Sequence, residues 1–308
     1  MTVSDVGCRP NFFLIGAAKC GTTSVAKYLD QHPEVFVSKP KEPNFFAFEP
    51  SSKPACRGPV DEEQLYQLLL KYSVTSPAAY RELFAPVQEE RAVGEASVRY
   101  LYETDTAKRI AEHAPAAKLI VLLRDPVDRL HSHYHMNVRQ HIEPKSLVGA
   151  LDAEAARVEQ GWGWDWHYLR VGKYAEQLQR FYDCFDSSQL LVLFHADLQQ
   201  RPAEAMRVIF EHLEVSLDFK PNFSNRAMVG YTPRWRLLRK LIREESLMKT
   251  CAKQILPTRF RKSLVNWSES KNRQAIPASP PVLRQQLNDR FASDSQQLAD
   301  LLGRHLPW

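Results

Sequence analysis

One stretch constrains this 308-residue chain more than any other: Gly16-Ala17-Ala18-Lys19-Cys20-Gly21-Thr22-Thr23-Ser24. Before it, Asn11 to Ala17 (NFFLIGA) is a short apolar run rich in β-formers and reads as a buried strand. After it, Thr22 to Gln31 sets Val25, Tyr28 and Leu29 at helical spacing, with Pro33 just past the end. Strand, small-residue turn, helix is the arrangement that aims backbone N–H groups and a helix N-terminus at an anion. Gly16 and Gly21 have the spacing of a Walker A loop, and Thr23 takes its final hydroxyl position. The lysine position, however, holds Thr22, and the loop's cation is Lys19, before the second glycine. A nucleotide kinase places its motif lysine on the β- and γ-phosphates. Lys19 with three hydroxyl residues suits a ligand ending in a single tetrahedral anion, with no metal required.

The pattern then repeats. Ala92 to Ala96, Lys118 to Arg124 (KLIVLLR) and Gln189 to His195 (QLLVLFH) read as further strands. Pro126 to Gln140, Lys173 to Phe185 and Pro202 to Leu213 read as helices between and after them. Strands apolar throughout that alternate with helices imply a parallel sheet covered on both faces. The expected fold is therefore α/β: a P-loop-like, doubly wound parallel sheet flanked by helices, over about residues 11–220. A helical, basic part follows over about 221–308, ending in a helical region from Val282 to Leu302, and the whole of 1–308 reads as one domain.

Composition is globular, 44% hydrophobic and 25% charged, which excludes disordered and fibrous classes. No window has the roughly 18 uninterrupted apolar residues of a transmembrane helix, and Met1 to Pro10 shows no secretory pattern. The net charge of +5 is uneven. Eleven Lys and Arg oppose only Glu244 and Glu245 between Arg226 and Lys262, so that segment carries +9 and the rest −4. Such a local field attracts a polyanion or an anionic surface, although a solvated helix face gives the same pattern. Five scattered cysteines without a C-x-x-C pair read as reduced thiols of a cytoplasmic protein. No metal site is expected, because His131, His133 and His135 do not share one helical face. Nothing marks the chain as a nucleic-acid binder, and its oligomeric state is not legible.

A second anion feature starts where the strand KLIVLLR ends, at Arg124, and runs Asp125-Pro126-Val127-Asp128-Arg129-Leu130-His131-Ser132 into a helix. Ligands of open α/β sheets bind at such strand ends. Arg124 can fork two N–H groups onto a phosphate, and a helix can bring Ser132 beside it. Arg129 has the alternative of pairing with Asp125 or Asp128.

These two motifs carry a resemblance. FLIGAAKCGTTSVAKYL resembles the 5′-phosphosulfate loop of sulfotransferases that use 3′-phosphoadenosine-5′-phosphosulfate (PAPS), and LIVLLRDPVDRLHSHY resembles their 3′-phosphate motif. VSKPKEPNFFAF and GEASVRYLY resemble segments of the heparan-sulfate-type branch and its bacterial relatives, and similarity spans about 11–215. The resemblance implies that the loop Lys19, Cys20, Gly21, Thr22, Thr23 and Ser24 holds the 5′-phosphosulfate, and Arg124 with Ser132 the 3′-phosphate. It makes Lys19 the group that stabilises the leaving oxygen and Glu95 the base for an acceptor hydroxyl. Here Glu95 is followed by Ser97-Val98-Arg99-Tyr100, without the proline common in the family. Histidine is the rival base, but the triplet at 131–135 sits in the 3′-phosphate helix and reads as packing.

Lys41 matches a lysine that lines the family's acceptor cleft, with a solvated loop lysine as the alternative. Trp164 and Trp166, in GWGWDWHY, read as an acceptor-cleft wall or as core filler. The best match to a loop closing over the nucleotide is Asn225 to Tyr231. The implied reaction moves a sulfuryl group to a carbohydrate or other small-molecule hydroxyl. The competing readings are a P-loop-like small-molecule kinase and a non-catalytic nucleotide- or polyanion-binding module.

Overall fold

The computed structural model describes residues 10–48, 57–59, 61–71, 73–224, 231–233, 273–275 and 279–308. Five strands form one sheet: β1 (Phe12–Gly16), β2 (Val35–Val37), β3 (Ala92–Ala96), β4 (Lys118–Leu123) and β5 (Leu190–Phe194). Their order is β2-β3-β1-β4-β5, and every pairing is parallel. Every residue of β1 and β3 is buried, as expected for strands with helices on both faces. The expected α/β doubly wound sheet is the fold observed. It has one more strand than the sequence indicated, since β2 is a three-residue edge strand too short to show a period.

The helices of the first half are α1 (Thr22–Leu29), α2 (Glu62–Leu70), α3 (Pro77–Glu82) and α4 (Thr106–His113). Those of the second are α5 (Pro126–Gln140), α6 (Leu147–Asp152), α7 (Glu154–Glu159), α8 (Tyr174–Tyr182), α9 (His195–Gln200) and α10 (Pro202–Leu213). A separate antiparallel pair, β6 (Tyr231–Pro233) with β7 (Arg273–Ala275), precedes the last helix, α11 (Pro281–Leu302).

The side toward which the connections lead reverses around the central strand. The connection from β1 leads toward β2 on one side, and that from β4 leads toward β5 on the other. The loops after β1 and β4 therefore diverge at neighbouring strand ends, the place where α/β sheets open a crevice for ligands. They are tied at their base by the Ala17 N–H to the Leu122 carbonyl, 2.7 Å.

α11 packs on this body. Its Asp294 carboxylate accepts from the Tyr174 and Ala175 N–H groups at 2.8 and 3.2 Å, taking up two of the donors that open α8. Leu287 and Phe291 are buried with Val127 and Leu130 of α5, and Leu298 joins the main core. The basic residues between Arg226 and Lys262, and Asn225 to Gly230 of the expected closing loop, lie outside the described residues.

Candidate functional site

The loop between β1 and α1 turns sharply into the helix. Lys19 and Gly21 both take left-handed backbone angles, φ 71° and 96°. Gly21, which carries no Cβ to strain there, is the N-cap of α1 and offers no side-chain cap. The first N–H groups of a helix lack the usual acceptor four residues back, and here the Ser24 N–H turns back to the Gly21 carbonyl at 2.9 Å, which leaves the Thr22 and Thr23 N–H groups and the positive end of the helix dipole at this start. Thr22 is buried, while Thr23 and Ser24 are half-buried at the helix start. Cys20, expected among the loop residues that hold the 5′-phosphosulfate, turns its side chain inward. Its thiol is fully enclosed, 3.8 Å from the Tyr174 hydroxyl, and burial pushes it up to about 11.

Above this helix start lies the Lys19 ammonium, 3.3 Å from Met136 Sδ of α5. Its pKa is lowered to about 8, first by burial and then by the positive field of Arg139, with Arg129 and Arg124 adding to it. Glu42 acts in the opposite direction and is the acid that most favours the charged form. A desolvated ammonium among other cations gains from any negative charge brought beside it.

Arg124 lies beside that loop, and Ser132 follows it on α5. Arg124 reaches the Lys19 carbonyl at 3.5 Å and Asp128 at 3.8 Å, and Ser132 lies one turn beyond Asp128 on α5, half-buried. Arg129 does not pair with Asp125 or Asp128, the alternative its position left open. It has no exposure and donates to the Tyr168 carbonyl, with His133 Nδ1 3.2 Å from its other amino group. The partner of both aspartates is Arg284 of α11, at 2.7 Å from each. A residue more than 150 positions away thus neutralises two acids beside Arg124. His195, at the end of β5, also borders the loop: a Cβ on Gly21 would come within 3.0 Å of its ring. Burial, then the charge of Arg124, lowers His195 to about 4.

The other wall is the segment before and around Phe45. Glu42 and Asn44 adopt left-handed angles, φ 66° and 52°, and the Glu42 N–H bonds to the Ala96 carbonyl at 2.9 Å. Lys41 Nζ lies 2.5 Å from Glu42 Oε1, and both side chains stay partly exposed. Glu95, expected as the base, is placed otherwise. Its carboxylate is 0% exposed and accepts three hydroxyls: Tyr80 at 2.8 Å, Tyr100 at 2.6 Å and Ser97 at 2.5 Å. Burial outweighs those bonds and raises it to about 7. A proton acceptor has to touch the incoming hydroxyl, and this carboxylate is walled off from it.

The two tryptophans separate. Trp164 is half-buried and lies in a cluster with Ala18 of the loop, Val98 and Val171, while the Arg99 guanidinium sits 5.1 Å over its ring. Arg99 also pairs with Asp165 at 3.5 Å. Trp166 is 2% exposed and donates its indole N–H to the Ile142 carbonyl at 3.0 Å, so it fills core and does not line a cleft. His133 is packed between Arg129 and Trp164. Among the described residues, no three His, Cys, Asp or Glu side chains are grouped to hold a metal, and no helix is long and apolar enough to cross a membrane.

Comparison with known proteins agrees with this geometry. A family model described as a sulfotransferase domain matches residues 9–230. A solved sulfotransferase from Alicyclobacillus acidocaldarius is 33% identical and superposes with a TM-score of 0.74, covering 97% of this chain and 98% of that one. The bifunctional heparan sulfate N-deacetylase/N-sulfotransferase 3 of Mus musculus is 27% identical over 212 residues, 67% of this chain and 22% of that protein. Carbohydrate sulfotransferase 15 of Homo sapiens is 26% identical over 248 residues, 68% of this chain and 44% of that protein. The chain therefore spans less than half the length of these curated relatives.

Proposed function

The chain belongs to the sulfotransferase-domain family, and on that premise we propose that it moves a sulfuryl group from PAPS to a hydroxyl of a carbohydrate or related small molecule. One observation carries this reading: the helix start without a side-chain cap, under a desolvated Lys19 and beside Arg124. That donor set fits a nucleotide with a tetrahedral anion at its 5′ end and a second phosphate a few ångströms away. The N–H groups of Gly21 to Thr23 and the hydroxyls of Thr23 and Ser24 take the 5′ anion. Arg124 and Ser132 take the 3′-phosphate, for which Arg124 exchanges its long contact with Asp128.

Sulfuryl transfer resembles phosphoryl transfer in needing in-line positioning and charge stabilisation more than covalent chemistry. PAPS supplies an activated sulfuryl group; the chain's residues arrange its transfer. As the acceptor oxygen bonds to sulfur and the bridging S–O bond breaks, Lys19 meets the charge growing on the leaving phosphate oxygen. The acceptor's proton passes to Glu42, a partly exposed carboxylate whose field reaches Lys19. Lys41 holds Glu42 in place and offers a positive charge to an anionic acceptor. Trp164 presents a ring face against which a sugar can stack.

Calorimetry with adenosine 3′,5′-bisphosphate (PAP), the product that shares both phosphates, tests this assignment. Wild type should bind it without metal and Arg124→Ala at least tenfold more weakly. Absence of binding by wild type, or tight binding of magnesium–ATP in its place, would favour the kinase reading. Glu42→Gln and Glu95→Gln then separate the two carboxylates as proton acceptor.

A further inference from the structure

The Glu95 carboxylate has no direct part in that reaction, yet it is fully buried and saturated by hydroxyl donors. Two of those donors lead outward. Ser97 gives its proton to Glu95 and, with the same oxygen, accepts the Asn44 N–H at 3.0 Å. The Asn44 side chain donates to the Glu42 carbonyl at 2.8 Å. Tyr100 likewise donates to Glu95 while accepting the Phe46 N–H at 3.3 Å. A continuous set of bonds thus runs from Glu95 to the Glu42 carbonyl and to the N–H groups of Asn44 and Phe46, within and just after the left-handed stretch that carries Glu42.

Non-glycine residues in left-handed conformation persist only where surrounding structure over-determines them. Here the determining contacts are the Ala96 carbonyl on Glu42, Ser97 on Asn44 and Tyr100 on Phe46, all from the end of β3 and the turn after it. Glu95 fixes the direction of both hydroxyls. As an acceptor-only group when ionised, it forces Ser97 and Tyr100 to point their protons inward and leaves their lone pairs for the loop N–H groups.

We propose that Glu95 is a positioning residue, which through Ser97 and Tyr100 locks the 42–46 loop so that Glu42 faces Lys19. This rests on the reading of Glu42 as proton acceptor.

The test is a double-mutant cycle on the intact chain with Glu42→Gln, Glu95→Gln and the pair, following turnover and PAP affinity. Glu95→Gln should lower kcat at least tenfold while its PAP dissociation constant stays within twofold of wild type. The pair should be no slower than Glu42→Gln alone, since the loop's order matters only while Glu42 is there to use it. Losses that multiply, or wild-type turnover in Glu95→Gln, would overturn the inference. Full turnover in Glu42→Gln would instead sink the reading on which it rests. Should Glu95→Gln fail to fold, Ser97→Ala leaves the carboxylate in place and cuts the link to Asn44. It should show the same loss of kcat without loss of PAP binding, and unchanged kcat in that variant would equally overturn the proposal.

Discussion

Nucleotide affinity should depend on pH through Lys19. Burial and three neighbouring arginines hold the free ammonium at about 8. A bound 5′ anion supplies the missing counter-charge and returns it toward the ordinary lysine range. At pH 7 the lysine is already about nine-tenths protonated. At pH 9 roughly one molecule in ten keeps the proton, so PAP should bind about tenfold more weakly than at pH 7. Each binding event at pH 9 should also take up about 0.9 proton. His167 and His195 are lowered to about 4 and Cys20 raised to about 11, so none of these three titrates in that window. Calorimetry in two buffers of different ionisation enthalpy reads both quantities. Lys19→Arg, always charged, should abolish the uptake and flatten the profile. Affinity that stays constant from pH 7 to 9 in wild type, with no proton taken up, would refute the electrostatic account of Lys19.

Arg284→Ala should release Asp125 and Asp128 to pull on Arg124. The pair is partly exposed, so PAP affinity should fall by only roughly three- to tenfold, with less effect on adenosine 5′-phosphosulfate, which lacks the 3′-phosphate. Trp164→Ala should raise the acceptor KM and leave PAP binding unchanged. Trp166→Ala should cost stability, about 3–5 kcal/mol by denaturant unfolding, because that side chain is core. Glu95 has its folded-state pKa raised from 4.5 to about 7, so its ionisation opposes folding. Relative to Glu95→Gln, wild type should therefore lose up to about 3 kcal/mol of stability between pH 4.5 and 8, measured as paired denaturation curves.

What the sequence made legible is local. The β1 loop and the Arg124 turn are strand-to-helix transitions within a dozen residues, so their glycines, hydroxyls and cations can be read directly. Glu95 illustrates a signal present but under-used. A strand that is apolar throughout is buried on both faces, and an acid inside AVGEA is buried with it. Glu42, flanked by Lys41 and Pro43 in a loop, carries no period at all; its left-handed backbone is set by contacts from β3. In WDW the two tryptophans are two positions apart in a single tight turn (Trp164–Trp166), so they point to different neighbours. Arg284 was invisible for a different reason. Its partners lie in another helix, and only the packing of α11 on α5 through Leu287 and Phe291 brings it to them.

The central claim is that the loop from Lys19 to Ser24 and the pair Arg124 and Ser132 grip the two ends of one nucleotide. A crystal structure with PAP bound tests it most directly. The 5′-phosphate should lie on the N–H groups that open α1, within hydrogen-bond reach of Lys19, and the 3′-phosphate on Arg124 and Ser132. A nucleotide bound in the reverse sense, or anywhere away from the diverging loops of β1 and β4, would contradict it.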